Sequence, residues 1–441
     1  MIRANLADNL KVPDQKIPAY AASRRIRYLD KNAEIGHQAQ YETVVLGKVF
    51  LAYSRSDEAI ANNQRAHRRV LHVVENLDRG AVENWLLRML GHARKQKVEI
   101  DWTFYCTLEQ PGAMDDKARA LGAHVIHSPV PIGRKVAFVR TLRSELRRGE
   151  YDVLHCHHDI VSAVYLLTAS GLPIQRRIVH VHNADEEVLT PSRWKQRLYR
   201  EPMRQICLKM ADRIVGISNQ TLDTFLAGRR RTERDVVHYY GVEHTPFEKA
   251  KADRSGFRQG LGLAENARIL LFAGRMVPEK NPLFAVDVLA EMHRLDPATV
   301  GIFVGAGSLE EAVRQRCAEL GLDHFVRFLG WRNDVPEVMC VSDWFILPHP
   351  EHPVEGFGLA IVEAQLAGLR MLLSRGILDD PLLPTASFRR LALSDGPKVW
   401  ANAAMEFLQI PARSRADALA ALRESPFAMD TALSDLVSLH K

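Results

Sequence analysis

RILLFAGRMVPEKNP, Arg268 to Pro282, joins an apolar run to a loop with two cations and then to a helix start. The run RILLFAG reads as a buried strand. Asn281 reads as an N-cap and Pro282 as the first helical residue, where a missing N–H costs nothing. Units of this kind recur on both sides. Downstream, TVGIFVGAG, FVRFLG, SDWFILP, RMLLS and RRLAL are each followed by a helix or a loop. Upstream, beginning at Arg69, stand RVLHVV, VEIDWTFYC, HVIHSP, YDVLHC, RRIVHVH and DRIVGIS. Strands alternating with helical stretches are βαβ units on a parallel sheet. The alternation pauses over DVVHYYGVEHTPFEKAKADR, Asp235 to Arg254, where Gly241 and Pro246 break the periodicity. Two doubly wound α/β domains are therefore expected, one on each side of the pause.

The expected boundaries are an N-terminal extension, 1–67, a first Rossmann-like domain, 68–243, a second, 244–400, and C-terminal helices, 401–441, packing back toward the first domain. The extension is polar apart from VVLGKVFLAY, Val44 to Tyr53. Of the 441 residues, 46% are hydrophobic and 25% charged, the balance of a globular chain with material for two cores, which excludes wholesale disorder. The 59 Lys plus Arg against 53 Asp plus Glu leave +6, too diluted an excess for a nucleic-acid partner to be expected. Cys106, Cys156, Cys207, Cys317 and Cys340 are far apart and form no CxxC pair, so neither a disulfide framework nor a zinc cage is indicated and a cytoplasmic location is expected. No run approaches about 18 apolar residues, and MIRANLADNLKVPDQK lacks an apolar core, so any membrane role is expected to be peripheral, at the inner face.

In open α/β sheets, ligands bind beyond the carboxyl ends of the strands. Arg275 and Lys280 stand there, at a helix N-terminus, as a diphosphate site requires; the competing reading is an ordinary surface Arg and Lys. A second feature is PVEGFGLAIVEA, in which Glu355 and Glu363 flank Gly356-Phe357-Gly358. A glycoside hydrolase pair must sit roughly 5 to 9.5 Å apart. Eight residues of helix rise about 12 Å, so the two acids are better suited to hold hydroxyl groups on separate sugars. Solvated acids around a glycine turn are the plainer alternative.

These motifs follow one another in order: G-R-x-x-x-E-K at Gly274 to Lys280, VGAGSLEE from Val304, FLGWRNDV from Phe328, SDWFILP from Ser342, and EGFGLAIVEAQLAG from Glu355. The series closely resembles the nucleotide-binding half of the family 4 retaining glycosyltransferases, which have the GT-B architecture: two facing Rossmann-like domains with a donor cleft between them. VVENLDRGAVENWLLRML, YDVLHCHHD, RIVHVHN and HYYGVEHTPF resemble the other half and the interdomain link. The resemblance implies that Arg275 and Lys280 bind the donor diphosphate and that Glu363 holds the ribose hydroxyls. It further implies that Glu355 lies by the transferred sugar, with Gly356, Phe357 and Gly358 offering backbone donors. The base would lie near Phe328 to Trp331 and Val335. Gly80 belongs to the first glycine loop, but Ala81 replaces the second glycine common in the family, which narrows the approach there.

His155 and His157, at the end of YDVLHC and just beyond it, are placed on opposite faces of the strand, with His158 in the loop; the resemblance puts His157 in the cleft near the reacting sugar. His182 and Asn183 are candidate acceptor contacts. No D-x-D triplet occurs, so no metal and no other cofactor is expected, and cationic side chains and helix dipoles must stabilise the leaving group. GRKVAFVRTLRSELRRGE, Gly133 to Glu150, carries Val136, Val139, Leu142 and Leu146 at helical spacing beside a basic face. A solvated helix is the favoured reading, and contact with an anionic membrane surface is the alternative.

The expected activity is transfer of a hexose, with retention, from a nucleotide sugar to a hydroxyl of a glycan acceptor, lipid-linked, in polysaccharide biosynthesis. A nucleotide-sugar 2-epimerase of the same architecture and a catalytically silent partner subunit are the alternatives. The intact Arg275, Lys280, Glu355 and Glu363 argue against the silent subunit.

Overall fold

The computed structural model describes residues 68–78, 80–183, 193–250, 254–352, 355–411 and 413–441. The stretch Val44 to Tyr53 lies outside them. The first sheet holds β1 (Arg69–Val74), β2 (Asp101–Cys106), β3 (His124–His127), β4 (Val153–Cys156), β5 (Arg176–Val181), β6 (Arg213–Gly216) and β7 (Asp235–Val237). Its helices are α1 (Ala81–Lys95), α2 (Asp115–Ala120), α3 (Lys135–Arg148), α4 (Ser162–Thr168), α5 (Arg193–Met210) and α6 (Asn219–Leu226). Two short helices follow, α7 (Thr245–Lys249) and α8 (Arg254–Gly260). The second sheet holds β8 (Arg268–Ala273), β9 (Thr299–Val304), β10 (Val326–Gly330), β11 (Trp344–Leu347), β12 (Arg370–Ser374) and β13 (Phe388–Leu391). With it run α9 (Pro282–Leu295), α10 (Glu310–Glu319), α11 (Val335–Val341) and α12 (Leu359–Leu366), and the chain ends in α13 (Gly396–Leu408), α14 (Arg415–Arg423) and α15 (Met429–His440).

Strand order is β3-β2-β1-β4-β5-β6-β7 in one sheet and β10-β9-β8-β11-β12-β13 in the other, and all pairings are parallel. In both, the first strand of the unit lies centrally and the order reverses beside it, between β1 and β4 and between β8 and β11. Loops leaving these neighbours diverge to opposite faces, which opens a crevice at the carboxyl edge. β7 falls inside the stretch read as a pause. It is three residues long and, among the described residues, pairs with β6 only, too short for periodicity to register.

Strand alternation divides the cores. Leu71, Val73, Leu154, Cys156 and Val179 face α3, α4 and α6, while Val70, Val74, Val153 and Ile178 face α1 and α15. Ile269 and Leu271 of β8 belong to the same cluster as this second set, whereas Leu270 and Phe272 pack under α9 and α13 with Trp344 and Trp400. One continuous core thus runs from the inner face of the first sheet, through Tyr240, Phe247, Phe427 and Leu436, to the second. α13 lies on the second sheet, α14 beside α12, and α15 returns to α1, where Ala432 O accepts a hydrogen bond from His238 Nε2 at 2.9 Å.

Two local expectations are corrected. Asn281 precedes α9, but with a left-handed φ of 48° and no side-chain cap; it closes the 3-10 turn Pro278–Lys280, and Pro282 opens the helix. On α3 the buried residues are Phe138, Leu142, Glu145 and Leu146, and Val136 is 67% exposed. Phe138 takes the place in the stripe that spacing assigned to Val136.

Candidate active site at the carboxyl ends of the two sheets

The loop after β8 is held by backbone bonds to the loop after β9: Gly274 N donates to Val304 O, Met276 N to Ala306 O, and Leu309 N to Met276 O, at 2.9 to 3.0 Å. This leaves Arg275 exposed at the edge of the crevice and sends Lys280 across the reversal point of strand order. Lys280 Nζ there donates a hydrogen bond to Glu355 Oε2, and His349 Nε2, just beyond β11, stands 3.5 Å from the same oxygen. Burial pushes the Glu355 carboxyl up, but Lys280, His349 and Arg275 outweigh it and hold the group below its ordinary value, so it is an anion at neutral pH. Arg275, Lys280 and Glu355 are thus brought together.

Glu363 is placed differently. It lies in the second turn of α12, and its Oε1 faces Arg88 Nη1 of α1 at 3.5 Å. Burial raises its pKa and Arg88 opposes the rise. The two acids therefore serve separate cations, one within the second domain and one reaching across from the first. Between them Gly358 has a φ of +75°, and a Cβ there would meet Ile361 Cδ1 at 2.7 Å. At Gly356 a Cβ would lie 3.0 Å from His182 O, so the turn presses its backbone against the end of β5. Phe357 is buried between Tyr239, Tyr240 and Phe427. Trp331 is 52% exposed, whereas Phe328 is packed under the Arg314 guanidinium, 4.1 Å from its ring centroid.

On the first domain, Gly80 precedes α1 and the Glu83 side chain folds back over it. Burial pushes the Glu83 carboxyl up to about 7. His157, His182 and Asn183 lie at the ends of β4 and β5. Asp159 accepts from His182 N at 2.7 Å and from Asn183 Nδ2 at 2.5 Å, which fixes the turn after β5. The expectation that His155 and His157 point to opposite faces is corrected. Residues two apart on a strand share a face. Their rings stack with centroids 4.3 Å apart, and Cys156 between them faces the other core. His158 turns away and bonds Tyr165 Oη at 2.6 Å.

The two rings belong to a larger stack on that face: His72 from β1, His155 from β4 and His157 just beyond it, His180 from β5 and His182 just beyond it, His238 after β7 and His440 from α15, all buried. His157 bonds His72 at 3.0 Å and His182 at 3.0 Å, and His182 Nδ1 bonds Tyr240 Oη at 2.6 Å. Burial holds these imidazoles below their ordinary pKa, down to about 3 at His182 and His440, so they are neutral. Sequence reading passed over Glu83, Arg88, His349 and most of this stack. The alternating His residues of β4 and β5 were the visible signal for the stack; Arg88 and His349 stood in no motif.

Two parallel Rossmann-like sheets with a charged crevice at their carboxyl edges define a GT-B glycosyltransferase. Residues 82–245 match the family described as Glycosyltransferase Family 4, and residues 253–377 match Glycosyl transferases group 1. The chain belongs to the group 1, family 4 glycosyltransferases and is an enzyme of that class. EpsF, a Bacillus subtilis protein named as a glycosyltransferase, is 27% identical over 344 residues, 76% of this chain and 87% of EpsF. An Escherichia coli UDP-Gal:alpha-D-GlcNAc-diphosphoundecaprenol alpha-1,3-galactosyltransferase is 26% identical over 271 residues, 59% of this chain and 67% of that enzyme. The fold is shared with Anabaena HepE, crystallised with UDP-glucose, at a TM-score of 0.67 and 20% identity over 84% of this chain and 100% of HepE. Among the described residues no helix is long and apolar enough to cross a membrane.

Proposed function

We propose that the enzyme moves a hexose, with retention of configuration, from a nucleoside diphosphate sugar to a hydroxyl of a lipid-linked glycan in polysaccharide assembly. The observation that carries this reading is the cluster of Arg275, Lys280 and Glu355 where the order of the second sheet reverses, with Glu363 on the helix that follows. A diphosphate laid there meets two cations, which neutralise the charge that grows as the bond from sugar C1 to the phosphate oxygen breaks. Lys280 exchanges Glu355 for phosphate oxygen, and the freed carboxylate accepts from sugar hydroxyls. Glu363 takes the ribose hydroxyls. The expectation that His157 and His182 touch the sugar or the acceptor is corrected: both are buried, with all four ring nitrogens bonded to His72, to each other and to Tyr240, so they support the ends of the first sheet, while Asn183 is exposed on the acceptor side. The departing phosphate oxygen takes the acceptor proton as the new C1–O bond forms on the same face. Two side-chain cations and a helix N-terminus do this work without a metal or other cofactor. The acceptor assignment draws support from the diphosphoundecaprenol-linked acceptor in the name of the E. coli relative. Action at the inner face of a membrane, from the cytoplasm, follows from such an acceptor.

The test is a thermal-shift screen of UDP, GDP and ADP hexoses, followed by incubation of the stabilising donor with a polyprenyl-diphosphate glycan and NMR of the product anomer. Stabilisation by one donor, and product with the donor's own anomeric configuration, is the expected result. An inverted anomer refutes retention, and transfer only to lipid-free acceptors refutes the lipid-linked assignment.

A further inference from the structure

The histidine stack contains a feature the transfer reaction does not use. His72 on β1, His155 on β4 and His440 on α15 each offer a ring nitrogen, and the three nitrogens lie within 4.8 Å of one another. All three side chains are buried. His155 Nδ1 and His440 Nε2 face each other at 3.0 Å. His72 uses Nδ1 toward His157, and its Nε2 is buried without a hydrogen-bond partner among the described residues. His158 Nε2, His180 Nε2 and His238 Nδ1 are likewise buried without a partner among the described residues, so the His72 nitrogen marks a site only together with the convergence of the three side chains.

Ring orientation distinguishes this triad from the neighbouring one. His155, His157 and His180 also bring their nitrogens within 4.8 Å. Their rings, however, are stacked, at 26° between His155 and His157 and 7° between His155 and His180. Parallel rings do not aim their in-plane lone pairs at one point from different directions. The His440 ring instead stands edge-on to both partners, at 69° to His72 and 80° to His155. His72 and His155 are tilted 34° to each other, so it is the His440 ring that supplies the crossing direction the stacked triad lacks. In a tetrahedral site nitrogens at about 2.0 to 2.1 Å from the ion are roughly 3.3 Å apart, close to the present separation of His155 and His440.

We infer that His72, His155 and His440 form a site for a borderline divalent cation such as zinc, with solvent in the fourth position, which staples the last helix to the first sheet. Three neutral imidazoles and a water are a ligand set that zinc accepts, and nitrogen donors favour zinc, cobalt or nickel over magnesium or calcium. The role is structural: two ligands stand on adjacent strands and the third is the last residue of α15, 285 positions beyond His155. This inference is independent of the donor reading above, since none of its ligands belongs to the donor cluster.

The test uses the full-length untagged chain, freed of metal under mild denaturation, refolded and titrated with Co²⁺. Expected are about one equivalent of cobalt per chain, the intense visible absorption of tetrahedral cobalt, and a melting temperature that rises with cobalt. His440→Gln, which alters only the ligand on the helix, is expected to abolish all three effects, while His157→Asn, within the stack but outside the triad, retains them. The inference is overturned if the parent binds well below one equivalent. It is equally overturned if His440→Gln binds as the parent does, or if binding is lost in His157→Asn and kept in His440→Gln. Should His440→Gln not fold, the parent's stoichiometry and the His157→Asn spectrum still decide.

Discussion

Lys280 and Arg275 differ in how the protein holds them, and this sets what each substitution does. Lys280 is already committed to Glu355, while Arg275 is exposed at the mouth of the crevice. Replacing either by Ala removes one charge-assisted phosphate contact, and kcat/KM is expected to fall by about 2 to 4 kcal/mol in transition-state terms, with the circular dichroism retained. Steady-state kinetics on both variants, unchanged within error, would remove the donor site from this loop. Gly358 gives a sharper test of the turn. Its left-handed φ costs an L-residue about 1 to 2 kcal/mol, and the Ile361 contact adds to that. Gly358→Ala is therefore expected to lower the denaturation midpoint and to weaken nucleotide-sugar binding together. A variant as stable and as tight-binding as the parent contradicts the turn geometry.

At the scale of elements, α3 shows how burial sorts a basic helix. Arg143 donates to Thr168 O and Ser170 O at 2.5 and 2.9 Å, and Arg148 pairs with Glu145 at 2.5 Å, so these two are tied to the fold. Arg140 and Arg147 are exposed and line a shallow cleft along the helix. If an anionic headgroup surface is the partner, each contributes about 1 kcal/mol, and attachment fades with salt. Arg140→Gln with Arg147→Gln is expected to reduce co-sedimentation with anionic vesicles at low salt while leaving stability unchanged, because neither side chain belongs to the packed face. Equal sedimentation of parent and variant leaves α3 a solvated helix. The same element shows what spacing conveys: Leu142 and Leu146 were legible as core, whereas Phe138 rather than Val136 continues the stripe, because it lies four residues before Leu142, on the same face, and Val136 lies six before it, off that face.

For the whole molecule, two features extend beyond any one element. Asp380 of the second domain accepts from Asn219 N, Asn219 Nδ2 and Tyr239 Oη of the first, each at 2.9 Å. Asp380→Ala is expected to cost about 1 to 3 kcal/mol, read as a lower denaturant midpoint, and an unchanged midpoint means these bonds do not hold the domains. The histidine stack makes the chain acid-sensitive. His72, His155, His157, His180, His182 and His440 are neutral when folded but protonate near 6.5 when unfolded, so their neutrality carries no penalty above that pH, and stability is lost as pH falls below it toward the folded values. One unit below 6.5, each contributes on the order of 1 kcal/mol toward unfolding, and six together approach a typical total stability of about 5 to 15 kcal/mol. Cooperative unfolding of the metal-free chain is therefore expected near pH 5, followed by tryptophan fluorescence. Persistence of the metal-free chain's native signal to pH 4 contradicts a neutral stack.

The alternation from Arg69 onward determined two parallel sheets without any structure, because strand and helix periodicities are properties of a short window. The ordered motifs from Gly274 to Gly368 likewise marked which end of the second sheet carries the charged crevice, since loops leaving parallel strands all emerge on one edge. What only the tertiary structure decided are the partnerships between distant segments. Arg88 meets Glu363 across 275 positions, His155 meets His440 across 285, and Asp380 reaches Asn219 across 161. Glu83, polar and near a helix start, gave no sign of a carboxyl pushed up to about 7, because that shift is made by the residues that bury it. Local sequence encodes the period of an element, but desolvation and pair distance depend on how whole elements dock, and no window of the chain contains that information.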